Sequence, residues 1–404
     1  MPQYRFPGVY IEEVSTGPRA IQAVGTSTAA FIGVAPNKRA RPQEVVAITN
    51  WSQFLREFGE GASEATPLAH AVFGFFNNGG SRCYVVNIGD SATIGAEKGK
   101  KGGVSLLEAV DEVAIVAAPG YSDPVTHDLL LTHCENCEDR VAVLDCPPDV
   151  DSIDRLLKVG APDTGRRGRR AEGEAEEETP PAGGLRPRQS DRGFGAFYFP
   201  WLYVRDPIEG RSIVAVPPSG HMAGVWARTD ATRGVHKAPA NEAIRGALSV
   251  THTITNAEQA ELNPAGVNCI RIFSREGVRV WGARTVADGS SEWRYLNVRR
   301  LFTMIEESIK LSTRWVVFEP NAQPLWKSIR RDVRAFLTLL WRDGALMGNS
   351  PEDAFFVKCD EETNPPEVVD AGIVVTVIGI APVKPAEFIV FRIGQHAGGA
   401  EVEV

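Results

Sequence analysis

The chain has 404 residues, of which 43% are hydrophobic and 23% charged, a balance that excludes a globally disordered or fibrous protein. This length exceeds the usual size of a single hydrophobic core, so two or three structural units are expected. The formal net charge of −8 argues against a dedicated nucleic-acid binder, and no direct nucleic-acid partner is predicted.

Targeting signals and redox chemistry are not evident. Residues 1–7 hold no apolar segment behind Arg5, so we predict no signal peptide and assembly in the cytoplasm. The most apolar run, residues 371–382, is far shorter than the roughly 20 residues that span a bilayer, so no membrane insertion is expected. The cysteines are scattered and fit reduced thiols better than a disulfide framework. They are Cys83, Cys134, Cys137, Cys146, Cys269 and Cys359.

The first half of the chain begins with an extended arm and continues as alternating helices and strands. Residues 9–14 are β-prone and lie between breakers, so their backbone groups must pair with a sheet elsewhere. The later elements are strands at 29–35, 44–48, 82–88, 113–118 and 141–146, and helices after the N-cap Asn50, at Thr66-Pro67, from 104 and at 123–137. This alternation indicates an α/β layer with parallel pairing.

An insertion interrupts this pattern at residues 164–192. It contains an arginine-rich block at 166–170, a glutamate-rich block at 172–178, and then proline and glycine pairs. The segment lacks the apolar side chains that would offset the entropy of ordering, so a flexible surface loop is predicted. Pairing of the two blocks with each other or with a neighbour stays open as an alternative.

The second half has a mixed pattern. Its predicted elements are strands at 197–204 and 212–216, a helix at 240–250, a hairpin of 269–273 and 278–281, long helices at 297–317 and 324–347, and strands at 355–359, 373–380 and 388–393. The predicted fold class is therefore mixed α/β, with mixed sheets flanked by helices and extended arms at both termini.

A nucleotide-utilising α/β enzyme is the alternative that the alternation raises. Residues 95–101 superficially resemble a glycine-lysine phosphate loop, but the spacing is wrong and no strand-to-helix context surrounds them. Asp145 follows an apolar strand and could imitate a magnesium ligand, yet without the loop it is a strand-end residue.

The candidate metal and nucleophile motifs of the sequence are incomplete. His133, Cys134 and Cys137 form one histidine and CxxC group, with Cys146 as a further candidate ligand, but a structural zinc site normally needs a second clear ligand pair. No HExxH or GxSxG motif is present. We therefore predict no catalytic, cofactor-binding or metal residues and no cofactor.

Distinctive motifs are spread over nearly the whole chain. They are FPGVYIEE at 6–13, PPSGHMAGVWARTD at 217–230, GVHKAPAN at 234–241, VWGART at 280–285, WRYLNVRR at 293–300, FEPN at 318–321 and PAEFIVF at 385–391. Together they resemble the tail sheath family of contractile phages, bacteriocins and extracellular injection systems. The insertion at 164–192 departs from that pattern.

The resemblance implies a structural protein and not an enzyme. Its subunits would form stacked hexameric rings in a helical sleeve, which contracts without nucleotide hydrolysis and drives an inner tube through a target envelope. The implied partners are further copies of the chain, the inner tube protein, and baseplate and terminator or cap proteins. The resemblance leaves three questions open. It does not say whether sibling sheath proteins take part, or whether the parent particle is a phage tail, a bacteriocin or a toxin-delivery system. It also does not say whether the particle is released by lysis or anchored in the cell.

The implied domain organisation has four parts. They are an N-terminal arm at 1–22, an outer α/β domain at 23–245 that carries the insertion, an inner tube-facing α/β domain at 246–385, and a C-terminal strand and arm at 386–404.

Two β-prone runs near the termini are suited to strand donation between subunits. Periodicity alone favours both runs folding back into sheets of their own chain, whereas the resemblance favours donation. A head-to-tail contact of this kind generates helices and not closed dimers. The predicted donor residues are Val9, Tyr10, Ile11, Glu12, Phe388, Ile389, Val390 and Phe391.

A basic helix face is the predicted contact with the inner tube. After Pro324, basic residues recur at near-helical spacing and could meet an acidic tube. The alternative is a solvated outer face, since exposed charges contribute little. The predicted contact residues are Lys327, Arg330, Arg331 and Arg334.

Overall fold

A computed structural model of the chain describes residues 20–91, 93–95, 101–160 and 183–390. The chain divides into two compact units. The larger unit comprises Thr26–Leu301 and Val383–Val404, and the smaller unit comprises Met1–Gly25 and Phe302–Pro382. Within the described residues, no helix is both long and apolar enough to cross a membrane.

The helices and strands follow one another in a mixed order. The strands are β1 Ala29–Gly33, β2 Val45–Ile48, β3 Cys83–Asn87, β4 Ile115–Ala117, β5 Val141–Asp145, β6 Gly195–Phe199, β7 Leu202–Arg205, β8 Ile213–Val216, β9 Glu242–Ala243, β10 Ser249–Val250, β11 Val267–Phe273, β12 Gly277–Val280, β13 Phe355–Lys358 and β14 Val377–Ile380. The α-helices are α1 Trp51–Phe58, α2 Pro67–Asn78, α3 Pro124–Cys137, α4 Asp154–Leu157, α5 Ser219–Arg233, α6 Asn256–Leu262, α7 Leu296–Ser312, α8 Gln323–Arg342, α9 Pro351–Ala354 and α10 Pro366–Asp370.

Nine of the described strands form the large sheet, in the order β2-β3-β1-β4-β5-β6-β11-β12-β9. The strands from β3 to β11 in this order pair in parallel, while β2, β12 and β9 pair antiparallel. Alternate side chains of β1 enter two cores, with Phe31 on one face and Ile32 on the other. Burial on both faces explains the continuous apolar runs, and the predicted α/β layer with parallel pairing is confirmed.

Local capping chemistry sets the helix boundaries that the sequence indicated. The Asn50 side chain accepts a hydrogen bond of 2.8 Å from the backbone N–H of Gln53 at the start of α1. The Thr66 hydroxyl caps α2, whose first residue is Pro67. Gly79 ends α2 with φ 114°, a left-handed conformation that favours glycine.

Helix α5 was not predicted, because the Pro-Pro-Ser-Gly sequence at its start is typical of a turn. It packs directly against α2, and glycines allow this approach. A Cβ at Gly220 would lie 2.2 Å from the Cα of Ala71, and one at Gly224 would lie 2.6 Å from the carbonyl oxygen of Phe75. The small residues of the 217–230 motif therefore serve helix packing in the larger unit.

Two predicted elements of the larger unit are wrong. Residues 197–204 are not one strand but β6 and β7, which belong to different sheets, because Pro200 has no backbone N–H to donate to a ladder. β7 forms a three-stranded sheet of described strands with β8 and β10. The helix predicted at 240–250 is instead β9 and β10. Pairing of β9 with β12 overrides the helix propensity of its alanine-rich sequence.

The smaller unit contains α8, α9, α10 and an antiparallel pair of β13 and β14, which we call the small sheet. The strand predicted at 373–380 is shorter, since only Val377–Ile380 pairs with β13. Asn364 organises the loop before it, donating to the carbonyl of Val375 at 3.0 Å and accepting from its N–H at 2.7 Å. The long helices α7 and α8 confirm the two helices predicted there.

The mixed α/β fold class is confirmed, but the unit boundaries differ from the predicted domains. A boundary at 245–246 would separate β6 from β11, which are parallel neighbours in the large sheet. The compact units instead separate after Leu301 and after Pro382. Assignment of an outer domain at 23–245 and an inner, tube-facing domain at 246–385 stays a prediction.

Candidate assembly interface

The predicted C-terminal donor run is uncovered in the larger unit. Residues 388–390 form no strand with other described residues. Phe388, Ile389 and Val390 are 76%, 72% and 78% exposed. Three consecutive large apolar side chains in water favour burial against a partner. The remaining predicted donors lie outside the described residues, namely Phe391, Val9, Tyr10, Ile11 and Glu12.

The small sheet offers open edges. Its two strands pair from Phe355 opposite Ile380 to Lys358 opposite Val377. Neither strand has a second strand partner among the described residues, so one row of backbone N–H and C=O groups on each is available for pairing. Phe356 lies over Gly379, where a Cβ would come within 2.1 Å of its ring. A two-stranded sheet is marginal alone, which makes it a suitable acceptor for further strands.

The four predicted tube-contact residues share one face of α8. Lys327, Arg331 and Arg334 are exposed and Arg330 is half-buried. The opposite face carries the buried side chains, which explains why the basic residues recur at spacings of three and four. The buried residues of α8 are Leu325, Trp326, Ile329, Asp332, Val333, Phe336 and Leu337.

Acidic residues of the smaller unit lie beside this basic face. The Arg331 Nε donates to Asp332 Oδ1 at 3.0 Å, and Arg334 pairs with Glu352. Lys327 and Arg330 line a cavity of about 330 Å³ together with the acidic residues 360–362. The face is therefore a mixed-charge surface with a basic excess along the helix, a weaker electrostatic feature than the sequence spacing suggests.

The carboxyl edge of the parallel strands is closed by the chain itself. Asp145, at the end of β5, accepts hydrogen bonds from the Ser219 N–H at 2.8 Å, the Ser219 hydroxyl at 2.7 Å and the Gly120 N–H at 3.2 Å. Burial raises the pKa of Asp145 to about 7, against the lowering effect of these donors. In open α/β sheets a ligand occupies this edge, and here the start of α5 occupies it.

Asn87 closes the neighbouring part of the same edge. At the end of β3, its side-chain amide donates to the carbonyls of Lys38 at 3.1 Å and Ala40 at 2.7 Å. Its carbonyl oxygen accepts from the N–H groups of Ala35 and Gly89, each at 3.0 Å. These polar groups hold a loop and are not directed at a ligand.

The candidate metal and phosphate groups do not form a site in the described part of the chain. No group of three or more His, Cys, Asp or Glu side chains placed to hold a metal ion occurs there. His133 lies beside Arg140, with 3.5 Å between Nε2 and the guanidinium, and Cys134 and Cys146 are buried thiols. Within the phosphate-loop candidate, residues 96–100 lie outside the described residues.

Motif residues from separate segments meet in a buried cluster of the larger unit. Arg300 of α7 is 3% exposed and forms an ion pair of 2.5 Å with Asp230 of α5. Its guanidinium group also stacks on the Trp226 ring, with 4.8 Å between the guanidinium carbon and the ring centroid. The Trp226 indole N–H donates to the Tyr198 hydroxyl at 2.9 Å. These contacts fix the fold, which explains why the motifs are specific.

A closed carboxyl edge, an open sheet edge and an exposed apolar segment are features typical of structural subunits that assemble. Two family models match the chain and define the class further. The phage tail sheath protein central domain matches residues 193–286, and the phage tail sheath C-terminal domain matches residues 288–395. The chain belongs to the tail sheath family of contractile tails and injection systems, as the motifs predicted.

Curated relatives carry the same description. The chain is 30% identical over 186 residues to a tail sheath protein of Salmonella phage ViI, an alignment that covers 45% of this chain and 28% of that protein. It is 27% identical over 191 residues to the tail sheath protein of Enterobacteria phage T4, covering 46% of this chain and 28% of the phage protein. The chain thus matches little more than a quarter of the length of these phage relatives.

Solved structures match over nearly the whole chain. The sheath complex of an extracellular contractile injection system, PVC, in the contracted state is 31% identical with a TM-score of 0.75, covering 98% of this chain and 99% of that one. The contracted helical sheath of the anti-feeding prophage is 29% identical with a TM-score of 0.73, covering 97% and 100%. A sheath tail protein of Desulfitobacterium hafniense, 11% identical with a TM-score of 0.57, shares the fold.

Sequence reasoning missed one contact that concerns the C-terminal run. Glu387, directly before Phe388, forms an ion pair of 2.6 Å with Arg284 in the larger unit. Both residues lie in motifs that carried the resemblance, but they are 103 positions apart. The local signal in the sequence is the Glu387 carboxylate beside an apolar run, and this pattern does not predict which residue pairs with it.

Proposed function

We propose that this structural sheath subunit polymerises as stacked hexameric rings around an inner tube and contracts without nucleotide hydrolysis to drive the tube through a target envelope. The observation that carries this proposal is the similarity to the PVC sheath over nearly the full length of both chains. The closed carboxyl edge at Asp145 supports a mechanism that uses no bound nucleotide. Among the described residues, the hydrogen bonds that Ser219 donates to Asp145 disfavour the alternative of a nucleotide-utilising enzyme.

Subunits are linked by exchanged strands in this proposal. The exposed run that begins at Phe388 leaves one copy and adds to an open edge of the small sheet in another, and the arm around residues 9–14 does the same. Backbone hydrogen bonds would supply affinity, and alternate side chains would supply register. Because donor and acceptor are different surfaces of the chain, the contact propagates as a helix.

Contraction then requires an extended lattice that is metastable. Each subunit would rotate and slide to a packing of lower free energy while the strand links persist. The free energy per subunit need only be small, since the gains add along a cooperative lattice.

The inner tube is held by the basic face of α8 in this proposal. Lys327 and Arg331 are exposed on that face, and acidic neighbours moderate its charge. A weak contact suits a sleeve that must release its tube as it widens. Baseplate and cap proteins would bind the ends of the sleeve, and assembly would take place in the cytoplasm before lysis or anchoring.

Electron microscopy of the purified chain in negative stain tests the proposal. Striated tubes or rings are expected, and deletion of residues 1–16 should abolish them without changing the midpoint of thermal unfolding. Small monodisperse particles with measurable nucleotide affinity would overturn it.

A matched pair of variants tests the C-terminal donor. Replacing residues 388–390 with serine should also abolish tubes. The control replaces Ile213 and Leu248, which are 56% and 50% exposed, with serine and should leave tubes intact. Tubes that survive the change at 388–390 would exclude this run as a donor.

A further inference from the structure

The segment before the exposed C-terminal run is attached to the larger unit at two points. The buried Asn297 side chain donates to the carbonyl of Val383 at 3.1 Å. Four residues later, the Glu387 carboxylate accepts two hydrogen bonds from the Arg284 guanidinium, of 3.0 Å from Nε and 2.6 Å from the second nitrogen. The segment between these points is therefore a strap held at both ends.

The second attachment point is itself rigid. The Arg284 N–H donates to Asn268 Oδ1, and the Asn268 amide donates to the Arg284 carbonyl, each at 2.7 Å. Asn268 is completely buried in β11 of the large sheet. The Tyr295 hydroxyl lies 3.5 Å from the Glu387 carboxylate. The Arg284 side chain thus projects from a backbone that the sheet fixes in place.

The ion pair is sheltered from water. The Arg284 and Glu387 side chains are 13% and 15% exposed. Two parallel hydrogen bonds between a guanidinium and a carboxylate fix orientation as well as distance, and they are stronger than neutral hydrogen bonds. Shelter reduces the screening by salt that weakens exposed pairs.

The sequence of the strap keeps it extended. Pro385 fixes its own φ and disfavours a helical conformation at Lys384. Directly after Glu387 the exposed fraction of the side chains rises to 76% at Phe388 and stays above 70% through Val390. The change from a held chain to a free one therefore falls between Glu387 and Phe388.

The geometry points to the Arg284–Glu387 pair as the fixed root of the C-terminal arm, a positioning contact that sets where the donated strand leaves the subunit and aims it at the small sheet of a second copy. This inference rests on the proposed strand donation. Release of Glu387 would free residues 384–387 and lengthen the mobile part of the arm by up to about 13 Å. Slack lowers the effective concentration of the arm at its acceptor and permits register slips.

Charge reversal with rescue tests the root. Glu387→Arg places two cations together, and the double variant Arg284→Glu with Glu387→Arg restores the pair in the opposite sense. The control is Glu135→Arg, because Glu135 also accepts two hydrogen bonds from one arginine, Arg188, at 3.0 and 2.8 Å in the larger unit. Glu387→Gln serves as a milder variant.

The mobility of a nitroxide spin label on the purified full chain before assembly gives the first readout, with the label on Ala386→Cys, an exposed position, in a Cys137→Ser background. The rotational correlation time of the label should fall at least about threefold in Glu387→Arg, less in Glu387→Gln, and return towards the wild-type value in the double variant. Glu135→Arg should leave the correlation time unchanged. An unchanged correlation time in Glu387→Arg, or no recovery in the double variant, would overturn the inference.

Tube assembly gives the second readout and separates this inference from the proposed function. Glu387→Arg should lower the yield of tubes about tenfold at an unchanged unfolding midpoint, and the double variant should restore it. Normal tube yield despite a more mobile label would overturn the positioning role. A wild-type chain that forms no tubes would count against the proposed function, while label mobility in the unassembled chain would still decide whether the pair holds the strap.

Discussion

The large sheet and the small sheet differ in how far their own chain covers them. Strands β1, β4, β5 and β6 of the large sheet are buried at every residue. In the small sheet Phe356 and Val377 are 56% and 43% exposed, and each strand has one strand partner within the described residues. The central strands of the first sheet are covered on both faces and both edges by their own chain, whereas both strands of the second are edge strands with exposed side chains.

This difference suggests separate roles for the two sheets, one in the stability of the folded chain and the other in the assembly of folded chains. Residues of the large sheet should determine whether the chain folds, and residues of the small sheet should determine whether folded chains assemble. Each prediction below tests that separation, either by comparing the two sheets or by sharpening the description of one.

The largest effect is expected from deleting a buried ring of the large sheet. Phe31→Ala removes a completely buried side chain whose ring centroid lies 5.5 Å from that of Phe75, and should lower the free energy of unfolding by about 3–5 kcal/mol. Phe356→Ala, in the small sheet, should cost less than about 1 kcal/mol. Urea unfolding measures the free energy of unfolding of both variants. Equal losses of stability would contradict the proposed difference between the two sheets.

The next effect is a pH dependence from the helix pair that covers the large sheet. Burial lowers the pKa of His221 to about 4, and its Nδ1 has no hydrogen-bond partner among the described residues. Because this folded-state pKa lies below the unfolded value of 6.5, the unfolded chain binds more protons as the pH falls from 6.5 to 4. Stability should therefore fall over that range, by roughly 1–3 kcal/mol from this residue.

The slope of unfolding free energy against pH between 4 and 7 measures this effect. His221→Gln should remove the contribution of this residue to the slope even where it lowers stability overall. Burial also lowers the pKa of His70, which lies 3.5 Å from Asp206, and the pKa of His127 to about 4, so part of this dependence should remain. The raised pKa of Asp145 acts in the opposite direction over the same range, so the effect of His221 is read from the difference between variant and wild type. An identical slope in wild type and His221→Gln would contradict the assignment.

A smaller effect on folding is expected from Gly379 in the small sheet. Gly379→Ala would bring a Cβ against the end of the Phe356 ring, which is free to shift because it is half exposed. The cost in unfolding free energy should be about 1 kcal/mol or less, since only a flexible ring moves. Tube yield should fall sharply, because the displaced ring disturbs the accepting surface. Intact tubes, or a large loss of stability, would argue against an acceptor role.

The smallest effect on folding is expected on α8. Lys327→Glu with Arg334→Glu should change the free energy of unfolding by less than about 1 kcal/mol, because both side chains are exposed and so is Glu352, with which Arg334 pairs. Co-assembly with the tube protein should weaken and become less sensitive to salt. Arg205→Glu with Arg211→Glu, exposed in the larger unit, is the control of equal charge. Equal co-assembly by both double variants would remove the case for a tube contact here.

Local chemistry accounts for the parts of the fold that the sequence predicted. Asn50, Thr66 and Pro67 signal helix starts through groups within three residues of each other, and buried parallel strands such as β5 are continuous apolar runs. Neither signal depends on distant residues. For this reason the alternating α/β layer and its helix boundaries were predictable.

Failures occurred where distant contacts outweigh local preference. Helix α5 begins in a turn-like sequence, but the backbone N–H and the hydroxyl of Ser219 donate hydrogen bonds to Asp145, 74 positions earlier. Residues 242–243 have helix-prone side chains and yet pair with β12. The root of the C-terminal arm joins Arg284 to Glu387 across 103 positions, so neither residue alone indicates the contact.

The closed carboxyl edge of the large sheet also has a mechanical consequence. In open α/β proteins this edge is the crevice in which ligands bind. Here Asp145 and Asn87 tie helix α5 and a loop across it, which leaves a close-packed interior of low compressibility. A block of this kind transmits force without absorbing it, so the work released in the proposed contraction would pass to the links between subunits.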